Sequence, residues 1–156
     1  MEHPLSGQKN KGIIEYDILG DATNIPIKAN SIDLILSTSS LEHIEHPYLF
    51  FKEAYRVLKP GGAIYINVPF VYSEHEVPYD FQRPTRYGLQ SFFRNSNFEN
   101  YTIKPTSSSI YTVLWGFQVV SSEVLSRSKG FKRLLLRLIN KFTIIIVNIF
   151  QRIFDF

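Results

Sequence analysis

At 156 residues the chain is long enough for one domain with a core and too short for two of ordinary size. Its residues are 44% hydrophobic and 20% charged, as in a globular protein, and the lack of cysteine excludes disulfides and thiolate metal sites. The net charge of +3 is unevenly spread: residues 1–100 carry nine Lys and Arg against twelve Asp and Glu, residues 101–156 eight against two.

The opening, "MEHPLSGQKNKG", has no apolar run, so a signal peptide is not expected and a cytoplasmic location is. "GIIEYDIL" (12–19) is rich in β-branched residues and predicts a strand running into a loop at Gly20-Asp21. "DATNIPIKAN" (21–30) has turn residues and no helical period. "SIDLILS" (31–37) is a nearly continuous apolar run, which predicts a parallel strand covered on both faces.

"LEHIEHP" (41–47) then sets two glutamates beside two histidines. His43 and His46 are spaced to share a helical face, but no third ligand follows at a convincing interval, so a metal is not expected. Glu42, Glu45 and His46 read as surface or helix-start residues, with His43 as the one directed at a site.

"PYLFFKEAYRVLK" predicts an amphipathic helix with Leu49, Phe50, Ala54, Val57 and Leu58 inward and Lys52, Glu53, Arg56 and Lys59 outward. Pro60-Gly61-Gly62 should end it, and "AIYINVP" (63–69) should form the next buried strand. Residues 70–85 read as a polar, aromatic-rich loop. Thr85 is placed to cap a helix from Arg86 to about Asn95, with Leu89, Phe92 and Phe93 inward. "FENYTI" (98–103) predicts a strand, and a helix is expected from about Val113.

Residues 127–156 predict a further helix. Arg133, Arg137, Asn140, Lys141, Asn148, Gln151, Arg152 and Asp155 fall within an arc of about 120°, and the rest is nearly all apolar. Its apolar run is shorter than the roughly 20 residues that a bilayer span needs. This broad apolar arc predicts contact with another chain or with a membrane surface. The fold class is α/β, an open sheet with helical crossovers, divided into a core (1–105) and a C-terminal helical extension (106–156).

Across "GDATNIPIKANSIDLILSTSSLEHI…RVLKPGGAIYINVPF" the chain resembles the class I S-adenosylmethionine-dependent methyltransferases, in particular the small-molecule type 11 group. The pieces match in order: "GDA" after a strand, "IP" in the next loop, "SIDLI", "LEHI", and "RVLKPGG" before a strand. "PFVYSEHEVPYDFQRPTRYGL" resembles a subset of these enzymes, and "NSNFE" stands where the family often has Gly-Phe. Asn97 can take the left-handed conformation that such a glycine would.

The resemblance implies a partial Rossmann-like sheet in which residues 13–19, 32–36 and 63–68 are the family's third, fourth and fifth strands. It implies that Asp21 accepts from the adenine amine of S-adenosylmethionine beside the Ala22 N–H, and that Ser37 and Thr38 lie near the cofactor's methionine end. The Gly-rich G-x-G-x-G loop and the acidic residue that holds the ribose in the family have no counterpart in this sequence. A truncated or partner-completed methyltransferase is therefore expected, with the strand at 13–19 closing directly onto 32–36 in an isolated fold.

Methyl transfer to an O–H or N–H acceptor can use a base, and His43 and His75 are the candidates. Asp80 would orient a histidine, while Tyr79 and Arg83 would bind a small-molecule methyl acceptor. The alternative is a non-catalytic remnant that binds a partner through its C-terminal helix. A nicotinamide-dependent dehydrogenase is disfavoured by the lack of G-x-G-x-x-G. A nucleic-acid partner is disfavoured because the basic residues lie on a hydrophobic helix without interleaved stacking aromatics.

Overall fold

A computed structural model describes residues 17–107 and 109–154 of the chain. Two compact units emerge: one runs up to Phe70 and includes Glu74–Ile103, the other holds Val71–Ser73 and the residues from Lys104 onward. The strand expected at 12–19 lies outside the described residues at 12–16, and residues 17–20 form no strand.

The first unit is an α/β arrangement, part of a Rossmann-like sheet. Strands β1 (Ile32–Thr38) and β2 (Leu58–Asn67) pair in parallel, and helix α1 (Pro47–Val57) connects them. β2 begins earlier than the sequence suggests, because Pro60-Gly61-Gly62 is absorbed into a bulge instead of marking the helix end. Between the pairs Ile32–Leu58 and Leu34–Ala63, β2 advances five residues while β1 advances two. Gly61 takes a φ of +82°, which a side chain would resist. A Cβ on Gly62 would sit 3.0–3.1 Å from the carbonyl oxygens of Lys59, Asp33 and Ile32, so the strands approach closely only over a glycine.

β1 is not covered on both faces. Leu34 is 52% and Leu36 68% exposed, because among the described residues the sheet has only these two strands and the core lies on one side of it. That core gathers Leu41, Phe50, Phe51 and Phe93, with Ile64, Ile66 and Val68 packed against it. Phe51, which the helical period did not single out, is its centre. It is fully buried, with the rings of Phe93, Phe92 and Phe98 at 4.8, 5.5 and 6.4 Å. Leu49 is only half-buried.

Helix α2 (Arg86–Asn95) starts at Thr85, whose hydroxyl accepts from the Gly88 N–H at 3.1 Å. It ends as anticipated at Asn97, with φ +65°. Phe98 N–H donates to Phe93 O at 3.1 Å and Asn97 N–H to Arg94 O at 3.3 Å, which is a Schellman closure. Residues 98–103 are not a strand. Phe98, Tyr101 and Ile103 instead lie as irregular chain on the core, and Tyr101 stacks on Phe93 with centroids 5.0 Å apart.

The second unit is a helical hairpin of α3 (Ser109–Arg127) and α4 (Gly130–Phe154). α3 starts ahead of the expected Val113. The link is tight: Ser128 Oγ donates to Val124 O at 2.7 Å, and Gly130 adopts φ +59°. α4 turns its Asn140, Thr143 and Val147 stripe inward, and Ser121 Oγ donates to Asn140 Oδ1 at 2.9 Å. Asn140 thus belongs to the packed stripe and not to the solvent arc. Among the described residues no helix is long and apolar enough to cross a membrane.

Candidate functional site

The carboxyl end of β1 leads into a 3-10 turn, Leu41–His43. Loop 74–85 is fastened over that turn by main-chain and side-chain bonds. Phe81 N–H donates to Glu42 O at 2.9 Å, and Gln82 Nε2 donates to the carbonyls of Leu41 and Ile44 at 3.0 and 2.9 Å. The loop thereby brings His75, Tyr79, Asp80 and Arg83 together with Glu42 and His43, residues some thirty to forty positions apart in the chain.

Each predicted side chain has a defined partner here. His43 Nδ1 is 2.7 Å from the Tyr79 carbonyl, so Tyr79 acts through its main chain. A carbonyl only accepts, so this nitrogen carries the proton and the lone pair sits on Nε2. His75 Nδ1 is 3.2 Å from Asp80 Oδ2, and its backbone N–H donates to the same oxygen at 3.0 Å. The two imidazoles meet edge to face with centroids 4.7 Å apart.

Asp80 is nearly inaccessible at its side chain and is gripped by Arg83 through two parallel bonds, Nη1 to Oδ1 and Nη2 to Oδ2, the latter at 2.7 Å. The guanidinium holds the Asp80 carboxyl far below the usual carboxylate range, which suits an orienting anion better than a proton acceptor.

Glu42 departs from expectation most. It is fully buried, not a surface residue, and neither carboxylate oxygen has a hydrogen-bond partner. His43 Nε2 lies 3.9 Å from its Oε1, beyond hydrogen-bond distance. Its burial comes from the loop laid over the turn, a long-range event that the local sequence does not announce. His46 is exposed at the N-cap of α1 and stands apart from this cluster.

The loop carrying Asp21 and Ala22 is held by α1 from a second direction. Glu53 Oε2 accepts from the Ile25 N–H at 2.9 Å, while Arg56 donates to the carbonyls of Ile25 and Ile27 at 2.8 and 2.9 Å. Read from sequence as solvent-face residues, these two are the loop's anchors. Arg56 holds the Glu53 carboxyl below its ordinary range. Asp21 is exposed, and its Oδ1 accepts from the Thr23 N–H and hydroxyl at 2.7 and 2.8 Å, an Asx-turn that fixes the carboxylate. Ala22 packs against the cluster that includes Leu41. Ser37 is buried and Thr38 exposed at the end of β1, where the Thr38 carbonyl accepts from the Ser40 hydroxyl at 2.9 Å.

The chain's similarity to known proteins falls on this region. Residues 5–66 match the family profile described as a methyltransferase domain. The match supports a class I S-adenosylmethionine-dependent methyltransferase over this stretch. A norajmaline N-methyltransferase of Rauvolfia serpentina is 38% identical to this chain over 53 residues, 34% of this chain and 18% of that protein. The ubiquinone/menaquinone biosynthesis C-methyltransferase UbiE of Neisseria meningitidis is 36% identical over 73 residues, 46% of this chain and 30% of the relative. An erythromycin 3''-O-methyltransferase of Saccharopolyspora erythraea is 44% identical over 48 residues, 31% and 16% of the two chains. The matched stretch thus spans less than a third of each of these methyltransferases. No solved structure matches the chain.

For the cofactor of such methyltransferases, the residues present fit the adenine end. An exposed, orientationally fixed Asp21 carboxylate stands beside Ala22, on a loop anchored by Glu53 and Arg56 of α1. No Gly-rich loop for the methionine end lies in the sequence.

Proposed function

We propose that this chain takes part in S-adenosylmethionine-dependent methyl transfer to a small molecule and contributes the adenine side of the cofactor site. The observation that carries this reading is convergence: Ala22 of the anchored Asp21 loop packs on the core cluster that also holds Leu41, in the turn that follows the carboxyl end of β1. Open α/β sheets bind ligands at that edge. The relatives named above act, by their names, at nitrogen, carbon and oxygen, so the shared stretch is better suited to the common cofactor than to any one acceptor.

The cofactor, when bound, supplies an activated methyl group. In this reading Asp21 accepts from the adenine amine, and the Glu53–Arg56 pair keeps its loop in place. Ser37 and Thr38 present backbone toward the methionine end. His43 and His75 are the bases for an acceptor proton, His43 held with its Nε2 lone pair outward by the Tyr79 carbonyl and the His75 ring oriented by the Asp80 carboxylate. Arg83, already paired with Asp80, orders the loop and flanks the acceptor with Tyr79.

Calorimetric titration of the chain with S-adenosylmethionine tests the assignment. We expect weak binding, about 100 μM or weaker, reduced roughly 5- to 150-fold in Asp21→Ala, the equivalent of one buried hydrogen bond of about 1–3 kcal/mol. Tight binding indifferent to Asp21 would contradict it. A second reading concerns the hairpin. The exposed stripe of Phe131, Leu134, Leu138, Phe142, Ile145 and Ile149 on α4, beside Arg137, Lys141 and Arg152, favours contact with an anionic membrane surface.

A further inference from the structure

The fully buried Glu42 is the least explained group in the described chain. A carboxylate withdrawn from water without a hydrogen bond is strongly disfavoured, and such a group calls for a partner that the protein atoms do not supply. Around it the fold has collected ligand atoms. One atom each of Glu42, His43 and His75 lie within 4.8 Å of one another. We infer that Glu42, His43 and His75 form a binding site for a divalent first-row transition cation of the Zn2+ or Mn2+ type.

Three features beyond proximity support this. His43 commits its Nδ1 to the Tyr79 carbonyl at 2.7 Å, which directs its lone pair to Nε2, and His75 Nδ1 lies 3.2 Å from Asp80 Oδ2, which orients the ring. Arg83 Nη2 also lies 3.4 Å from His75 Nδ1, but the carboxylate is the nearer group and can only accept. Metal-bound histidines typically show this arrangement, with the far ring nitrogen donating to a carbonyl or carboxylate that fixes the ring. The scaffold is also built: Phe81 and Gln82 bind the main chain of the turn, so His75 does not reach the cluster on a loose strand. Finally, two imidazoles and one carboxylate select intermediate cations over Ca2+, which prefers an all-oxygen shell.

Ligand atoms that share a cation at about 2.1 Å stand about 3–3.5 Å apart, so the three need only close by small side-chain rotations. Three protein ligands leave coordination positions open for water or for an oxygen of a bound molecule. The local sequence hid this site because the third ligand, His75, lies beyond α1 and β2. The inference does not rest on the reading of the chain as a methyltransferase; with a cation bound, the histidine lone pairs are spent on it and no longer serve as a base.

The test uses the untagged full chain, stripped with a chelator and titrated separately with Zn2+ and Mn2+. The inference expects one equivalent of at least one cation bound more tightly than about 100 μM. Affinity should fall at least about tenfold in Glu42→Gln, which keeps the side-chain shape, and in His75→Ala, and stay unchanged in His46→Ala. In the unsubstituted chain, the ring proton signals of His43 and His75 should move on Zn2+ addition ahead of those of His46. Weaker binding of both cations, a fall of less than tenfold in Glu42→Gln, or ring shifts that bypass His43 and His75 would overturn it.

Discussion

Glu53 shows how a residue's role depends on what its helix faces. On the periodicity of α1 it belongs to the solvent side, and its side chain is indeed partly open, yet it bonds both Arg56 and the main chain of Ile25. Because Arg56 holds its folded-state pKa below the ordinary value near 4.5, the ionised form is favoured by folding. The resulting stability is fully present above that ordinary value and is lost as the pH falls through the lower, folded one. Urea melts of the chain and of Glu53→Gln across pH 6 to 3 should therefore converge as the medium becomes acidic. A constant difference between them would contradict the ion pair as the loop's anchor. Asp21, Ala22 and the turn at Leu41–His43 were legible as a candidate site because their spacing carries the family pattern. Glu42's burial and His75's approach were not legible, since both arise when residues 74–85 fold over a turn that precedes them by some thirty positions.

At the level of elements, what could be read locally was read well. The Thr85 cap and the Asn97 closure of α2 rest on hydrogen bonds within a few residues, so their chemistry is written in the segment itself. The strand expected at 98–103 failed for the opposite reason. Its residue types suit a strand, but these aromatics pack on the Phe93 ring and the segment pairs with no strand. Phe51 ties α1, α2 and this segment together. Phe51→Ala should cost about 3–5 kcal/mol by chemical denaturation, the range for removing a fully buried aromatic. A loss below about 1 kcal/mol would mean that the aromatic cluster is not the centre of the fold.

On the scale of the molecule, each unit keeps a surplus of apolar surface. In the first it is the side of the sheet carrying Leu34, Leu36 and Tyr65, and in the second the outer stripes of the hairpin. The sequence announced the second surplus as an overly wide apolar arc on the last helix. It did not announce that α3 would bond Asn140, a residue of the polar arc, through Ser121. With basic residues flanking what remains exposed, the chain should co-sediment with vesicles containing anionic lipid and much less with neutral ones, a difference that salt should reduce. Equal binding to both would point to a protein partner for the hairpin.

The reading of the first unit as the adenine side of a methyltransferase site is tested most directly by mapping where the cofactor touches. In an NMR titration of the isotope-labelled chain with S-adenosylmethionine, the account predicts saturable amide shifts at Asp21–Asn24 and Ser37–His43, and their loss in Asp21→Ala. Shifts confined to other segments, or none there at millimolar cofactor, would contradict it.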